Sequence, residues 1–197
     1  MAQVATDRCG HSWRRYNGVS SRDINKAVSK INRGRFSANV GADGKVLFLI
    51  GMRINQIWKI WKWLPVFVAM PRMLIEIQKD HSLGLVGKPR TFLSGRTILV
   101  WQYWESFEKL TAYSRSAESA HLPAWRSFNK KIRDNGSVGI YHETIVLSDK
   151  TVETVYGNMP IFGLASVTGA VTAAQRGQSA KSRISGADSQ SPAVEPY

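Results

Sequence analysis

Cysteine is almost missing from this chain: Cys9 is the only one in 197 residues. A single thiol forms no internal disulfide and no thiolate metal cluster, so the fold needs no oxidising compartment and a cytoplasmic location is expected. Long uninterrupted apolar runs are also lacking. The most apolar stretch, Trp61 to Ile77, is broken by Lys62, Pro65, Pro71, Arg72 and Glu76, whereas a spanning helix needs about 20 largely apolar residues. No integral membrane segment is read. The N-terminus has no secretory core either; it is rich in Arg and Ser, as transit peptides are, but Asp7 and Asp23 run against that pattern. HExxH, CxxC, GxSxG and a Gly-rich phosphate loop are absent, which leaves zinc hydrolysis, Ser-triad and P-loop chemistry without support.

Acidic residues are scarce, 14 against 27 Lys and Arg, for a formal charge of +13. The excess is uneven. Residues 1–45 carry nine basic and three acidic side chains, residues 46–147 fourteen and seven, and residues 148–197 four and four. A basic arm can touch anionic membranes or nucleic acid, but solvation of a polar segment is the simpler role and the preferred one.

What the chain does have is a core. Hydrophobic residues make up 43%, with seven Trp, seven Phe and six Tyr, enough to fill a domain or line a cavity with rings. Residues 1–34 show no sustained period and read as a flexible basic arm. After Leu164 the composition shifts to Ala, Ser, Gly, Gln and Thr, which predicts a disordered tail over 165–197. The domain is expected at 35–164.

Within it, Phe36–Val40 reads as a short strand turned by Gly41–Gly44 into the clearest strand, KVLFLIGMRI at 45–54. A helical region follows over 57–79, where Pro65 and Pro71 suit the first turns of successive pieces. Strands are expected near 87–93 and at 96–104 (RTILVWQYW), joined by a Ser94-Gly95 turn. Ser106 is placed to cap a helix with Glu108 in its first turn, a second helical piece starts at Pro123, and VGIYHETIVL at 138–147 is the last strand. The order β-α-β-β-α-β predicts an α+β, ferredoxin-like domain.

Two strands lack a polar face. Val46, Phe48, Ile50 and Met52 alternate with Leu47 and Leu49, and Ile98 and Val100 with Leu99, Trp101 and Tyr103. With polar tails offering no further layer, the economical cover is a second copy, so a homodimer joined sheet to sheet is expected. The same pattern argues against an RNA-binding sheet, since RTILVWQYW is apolar on both faces and lacks the Lys/Arg-Gly-Phe/Tyr-type signature of such modules. No nucleic-acid partner is expected.

Four clusters carry candidate chemistry. Arg53 suits an oxyanion and Asn55 a polar ligand atom, or Asn55 simply caps the next helix. Trp101, Tyr103 and Trp104 suit a flat ligand, or fill the core. His121, near Trp125, sits between two helical pieces as a base, an iron ligand or a local hydrogen-bonding residue. His142 alternates with Ile140 and Thr144, opposite Tyr141 and Glu143, so His142 and Glu143 cannot both line one pocket.

The runs VLFLIGMRIN (46–55), KWLPVFVAMPRML (62–74), TFLSGRT (91–97), YWESFEKLTAYSR (103–115), AHLPAWRSFN (120–129), VGIYHET (138–144) and YGNMPIFGL (156–164) resemble the monooxygenase-like family named after a member of the fungal fumagillin pathway. That resemblance implies the wider superfamily of antibiotic-biosynthesis monooxygenases and haem-degrading enzymes, whose subunits pair into a dimeric α/β barrel and hold the ligand between helices and sheet. By position Asn55, Trp104 and His121 are similar to the recurring residues of the haem-degrading branch. It implies an oxidoreductase of secondary metabolism acting on a flat hydrophobic metabolite. Catalytic roles would fall to His121, Arg53 and Asn55, and substrate contacts to Trp101, Tyr103, Trp104, Trp125 and His142. No cofactor is required in the form where the substrate's own ring reacts with oxygen; in a haem form, His121 would be the axial ligand. A non-redox isomerase, cyclase or dehydratase, and a non-catalytic ligand-binding dimer, are the alternatives.

Overall fold

The computed structural model describes residues 30–116 and 136–185. The first described strand, β1 (Asn32–Ala38), stands apart from the main sheet. That sheet is built on β2 (Lys45–Ile54), the strand whose two apolar faces stand out in the sequence. After β2 come α1 (Ile60–Lys79), a 3₁₀ turn at His81–Leu83, β3 (Leu85–Ser94), β4 (Thr97–Trp104), α2 (Phe107–Arg115) and β5 (Val138–Leu147). The strands lie in the order β3-β4-β2-β5, every neighbour antiparallel. This is the ferredoxin-like arrangement expected from the sequence.

Local chemistry sets the ends of these elements. The Ser106 hydroxyl accepts the Lys109 N–H at 3.3 Å and caps α2, as the sequence predicts. That hydroxyl also lies close enough to hold the exposed Glu108 carboxyl below its usual range. Between β3 and β4, Gly95 takes φ 55°, a left-handed turn conformation that favours glycine.

Helix α1 differs from expectation. It is one 20-residue helix with Pro65 and Pro71 inside it, not two pieces. Each ring removes a backbone donor and crowds the carbonyl four residues back. The helix is held instead by side chains: Trp63 and Val66 pack near Met52 and Val138, and Leu74 and Ile77 near Val46 and Trp104.

A second correction concerns both ends of the domain. β1 does not form a hairpin with β2, although Gly44 N–H does donate to Gly41 C=O at 3.1 Å. It pairs with β6 (Tyr156–Met159) and β7 (Ala170–Thr172) in a three-stranded sheet of order β6-β1-β7. Short helices α3 (Ala165–Thr168), α4 (Ala173–Arg176) and α5 (Ala180–Ser185) accompany it. Residues 165–185 are therefore structured where a disordered tail is expected, and the arm expected through residue 34 already includes strand residues. Small side chains contribute to this, since Ala165 and Ala173 are both buried.

This small sheet supplies the layer the sequence seems to lack. Phe36, Val40, Leu164 and Ala165 pack with Tyr103, Leu147, Leu47, Val86 and Trp101, on the face of the main sheet away from α1 and α2. Cover is incomplete toward the sheet edges, where Phe92 on β3 and Tyr141 and Ile145 on β5 stay substantially exposed. Phe36, stacked on Tyr156 at 4.9 Å, anchors the second sheet. Phe36→Ala is expected to cost about 3–5 kcal/mol in urea unfolding; a loss under about 1 kcal/mol would mean that this sheet is not part of the core.

Candidate functional site

The two-residue period of the strands divides the candidate residues before any ligand is considered. Val46, Phe48, Ile50 and Met52 of β2 turn toward the helices together with Ile98, Val100, Gln102 and Trp104 of β4, as their register pairs them. Between this face and the helices lies a cavity of about 50 Å³. Its walls are Phe48 and Ile50 from β2, Met70, Met73, Leu74 and Ile77 from α1, Gln102 and Trp104 from β4, and Leu110, Tyr113 and Ser114 from α2.

Gln102 is the polar feature of the sheet side. Its residue is buried, and its Oε1 accepts the Trp104 indole N–H at 3.0 Å. An indole N–H only donates, so this bond fixes which end of the amide carries oxygen. Gln102 lines the cavity, and among the described residues its side chain makes no other hydrogen bond, which leaves the Nε2 hydrogens for a cavity occupant. Trp104 is 1% exposed and tilts against the Tyr113 ring, centroids 5.5 Å apart. Burial, and then the nearby Glu76 carboxylate, push the Tyr113 hydroxyl well above the ordinary phenol range, so it stays protonated at neutral pH. A donor amide and a neutral phenol thus share one apolar chamber.

The sequence-predicted residues distribute as follows. Trp104 lines the cavity. Trp101 and Tyr103 do not: they point to the opposite face, where Trp101 meets Phe92, Tyr103 and Phe162 at 6.0, 5.9 and 6.0 Å. Arg90 covers the Phe162 ring at 4.3 Å in the same cluster. Arg53 is exposed on that opposite face, with its Nη1 donating to Thr97 Oγ1 at 3.2 Å. Asn55 lies past the end of β2, and its Nδ2 donates to Gly136 C=O at 3.1 Å. Neither reaches the cavity. His142 is exposed on edge strand β5 and reaches only the rim, its ring 5.8 Å from Phe48. His121 and Trp125 lie outside the described residues.

Gln102, Tyr113 and the two methionines are absent from the sequence-predicted set. The signal for Gln102 is present in the sequence: it is the polar residue in the phase shared by Val100 and Trp104, the phase that faces the helices. Met70 and Met73 carry no such signal, since an apolar helix face reads simply as core.

At about 50 Å³ the cavity formed by the described residues is smaller than the roughly 300–1,000 Å³ of substrate- and cofactor-sized pockets, so neither haem nor a polycyclic substrate enters without widening it. Of the described residues on its walls, none is histidine, cysteine or carboxylate.

Tyr103 and Tyr156, in the layer between the two sheets, are also raised, both by burial first and Tyr103 then by Tyr156. For a phenol whose folded value exceeds its unfolded one, the stabilisation is whole below the unfolded value and is lost as pH rises above it. Tyr103, Tyr113 and Tyr156 therefore predict falling stability above about pH 10. Absorbance titration should show these three ionising only with unfolding; ionisation of all six of the chain's tyrosines near pH 10 in the native protein would contradict their burial.

Comparison with known proteins agrees with the fold. The family model "Monooxygenase af470-like" matches residues 45–164. Monooxygenase af470 of Aspergillus fumigatus is 25% identical over 158 residues, 69% of this chain and 54% of that protein. The chain thus spans about half the length of this curated relative. Among solved structures, an aldoxime dehydratase superposes with a TM-score of 0.52 at 18% identity, over 71% of this chain and 46% of that one. SnoaB, a cofactor-independent oxygenase from Streptomyces nogalater, gives 0.39 at 9% identity, over 56% of this chain and 99% of that one.

Proposed function

We propose, from the premise that the chain belongs to the monooxygenase af470-like family, that it is an oxygenase-type oxidoreductase whose flat hydrophobic substrate binds between the main sheet and the helices. The observation that carries this reading is the Gln102 amide, held by Trp104 with its donor end in an apolar cavity. An electron-rich ring system bearing an acidic C–H₂ beside a phenol or carbonyl is the substrate class that needs such a donor. Loss of a proton leaves a carbanion whose charge rests on the ring oxygen, where Gln102 Nε2 stabilises it in a setting of low dielectric. The carbanion carbon is oxidised by O₂. One oxygen atom becomes a carbonyl at that carbon, the other leaves as water with the two hydrogens, and no external reductant is consumed.

Tyr113 stays neutral and serves as a second donor rather than as the base. His121, outside the described residues, keeps the proton-moving role assigned from the resemblance. Substrate entry requires the chamber to widen beyond about 50 Å³, and methionines suit that need: Met70 and Met73 are unbranched and repack readily. Secondary metabolism is the setting in which such ring oxidation fits.

A homodimer belongs to the same reading. Phe92, Tyr141 and Ile145 leave apolar margins of the outer sheet face uncovered, and a second copy of that face is their natural cover. Light scattering at micromolar concentration should give twice the chain mass; a monomer there removes the dimer from the proposal.

Oxygen uptake with a panel of tricyclic phenols and anthrone-like ketones, followed by product analysis, tests the chemistry. Gln102→Leu, combined with Trp104→Phe so that no indole donor is orphaned, is expected to lower kcat/KM by about 10²–10³. His142→Ala should leave it near wild type. Oxygen uptake that is indifferent to Gln102, or wild-type protein inert across the panel, overturns this assignment.

A further inference from the structure

Helix α1 carries apolar residues well beyond the side that packs on the sheet, and the two groups adjoin at Trp63 and Phe67, whose rings meet edge to face at 6.3 Å. Its inward side, Trp63, Val66, Leu74 and Ile77, packs on the sheet. Its outward side carries Ile60, Trp61, Leu64, Phe67, Val68 and Ile75, and all six are exposed. They recur at three- and four-residue steps and so form one stripe along the helix. Trp61 is 69% exposed, and Trp58 just before the helix is 68% exposed. Isolated exposed apolar residues need no explanation, but a contiguous stripe with two indoles does.

The charge around the stripe identifies its partner. From residue 59 to 79 the chain has Lys59, Lys62, Arg72 and Lys79 against Glu76, with Asp80 just past the end of α1. Arg96 adds to this set beside the start of α1, its Nη1 donating to Asn55 C=O at 3.1 Å. Two copies meeting through this stripe would set like charges together. An anionic bilayer instead offers hydrocarbon for the Leu and Phe side chains, a headgroup layer that favours indole rings, and negative charge for the basic collar.

We propose that the outer face of α1, led by Trp58, Trp61, Leu64 and Phe67, seats this protein on the surface of an anionic lipid bilayer. The helix lies in the interface and does not cross it; among the described residues no helix is long and apolar enough to span. The prolines fit this role, since a helix lying on the surface keeps its interrupted backbone groups near water. The proposal stands apart from the chemistry assigned above, because none of the stripe residues is among the cavity walls.

Flotation of the full chain with vesicles tests it, comparing phosphatidylcholine alone with phosphatidylcholine containing phosphatidylserine. The chain is expected to float with the anionic vesicles, and bromine-labelled lipid tails should quench its tryptophan fluorescence. Trp61→Glu with Leu64→Glu should reduce binding at least tenfold while leaving the far-ultraviolet circular dichroism unchanged, because both side chains are exposed. Lys59→Gln with Arg72→Gln should instead narrow the difference between the two vesicle types. Absence of binding overturns the proposal. So does binding that survives the glutamate variant, which would assign it to the basic N-terminal residues. A glutamate variant that shifts oligomeric state while vesicles stay unbound would mark the stripe as an interface between copies.

Discussion

The two-residue alternation along β2 and β4 is the constraint on which the rest of the molecule depends. Because β2 is paired on both sides, its side chains leave the sheet only upward or downward, and both directions are apolar. Each face must then be covered by something. Helices α1 and α2 cover one with Val46 and Trp104 at the centre of contact, and the β6-β1-β7 sheet covers part of the other around Tyr103 and Leu147. A shift of one residue in register would exchange these environments and place Gln102 in the layer between the sheets.

That constraint also explains why a cavity forms where it does. Trp104 and Tyr113 are large rings meeting at an angle, and the methionines of α1 bridge the remaining gap without filling it. The buried amide of Gln102 is tolerated because one end is satisfied by the indole. Its other end stays open to the chamber, and a buried donor without a fixed partner is costly unless a ligand or water uses it. The folding economy of the sheet and the chemical reading of the site therefore meet at a single side chain.

Much of this was legible in the residues. The strand KVLFLIGMRI, the Ser106 cap, the Ser94-Gly95 turn and the last strand carry local signals, and the family resemblance rests on blocks within the same elements. The site was less legible. Alternation separates Trp104 from Trp101 and Tyr103, so the three form no single platform, and it sets Arg53 on the Trp101 face. The C-terminal residues misled for another reason: short Ala-, Gly- and Ser-rich segments have weak intrinsic preferences, and β7 and α3 exist because β1 offers them an edge and a surface. Prolines in α1 misled in the opposite direction, since packing outweighed their local cost.

The claim most in need of a direct test is that ligands enter the helix side of the sheet rather than the aromatic layer around Trp101 and Phe162. A crystal structure of the protein soaked with a flat tricyclic phenol addresses it. Ligand density is expected between β4 and α1, with a ligand oxygen within hydrogen-bond distance of Gln102 Nε2 and Met70 and Met73 in new rotamers. Density among Trp101, Phe92 and Phe162, with the Gln102 chamber unchanged, would contradict it.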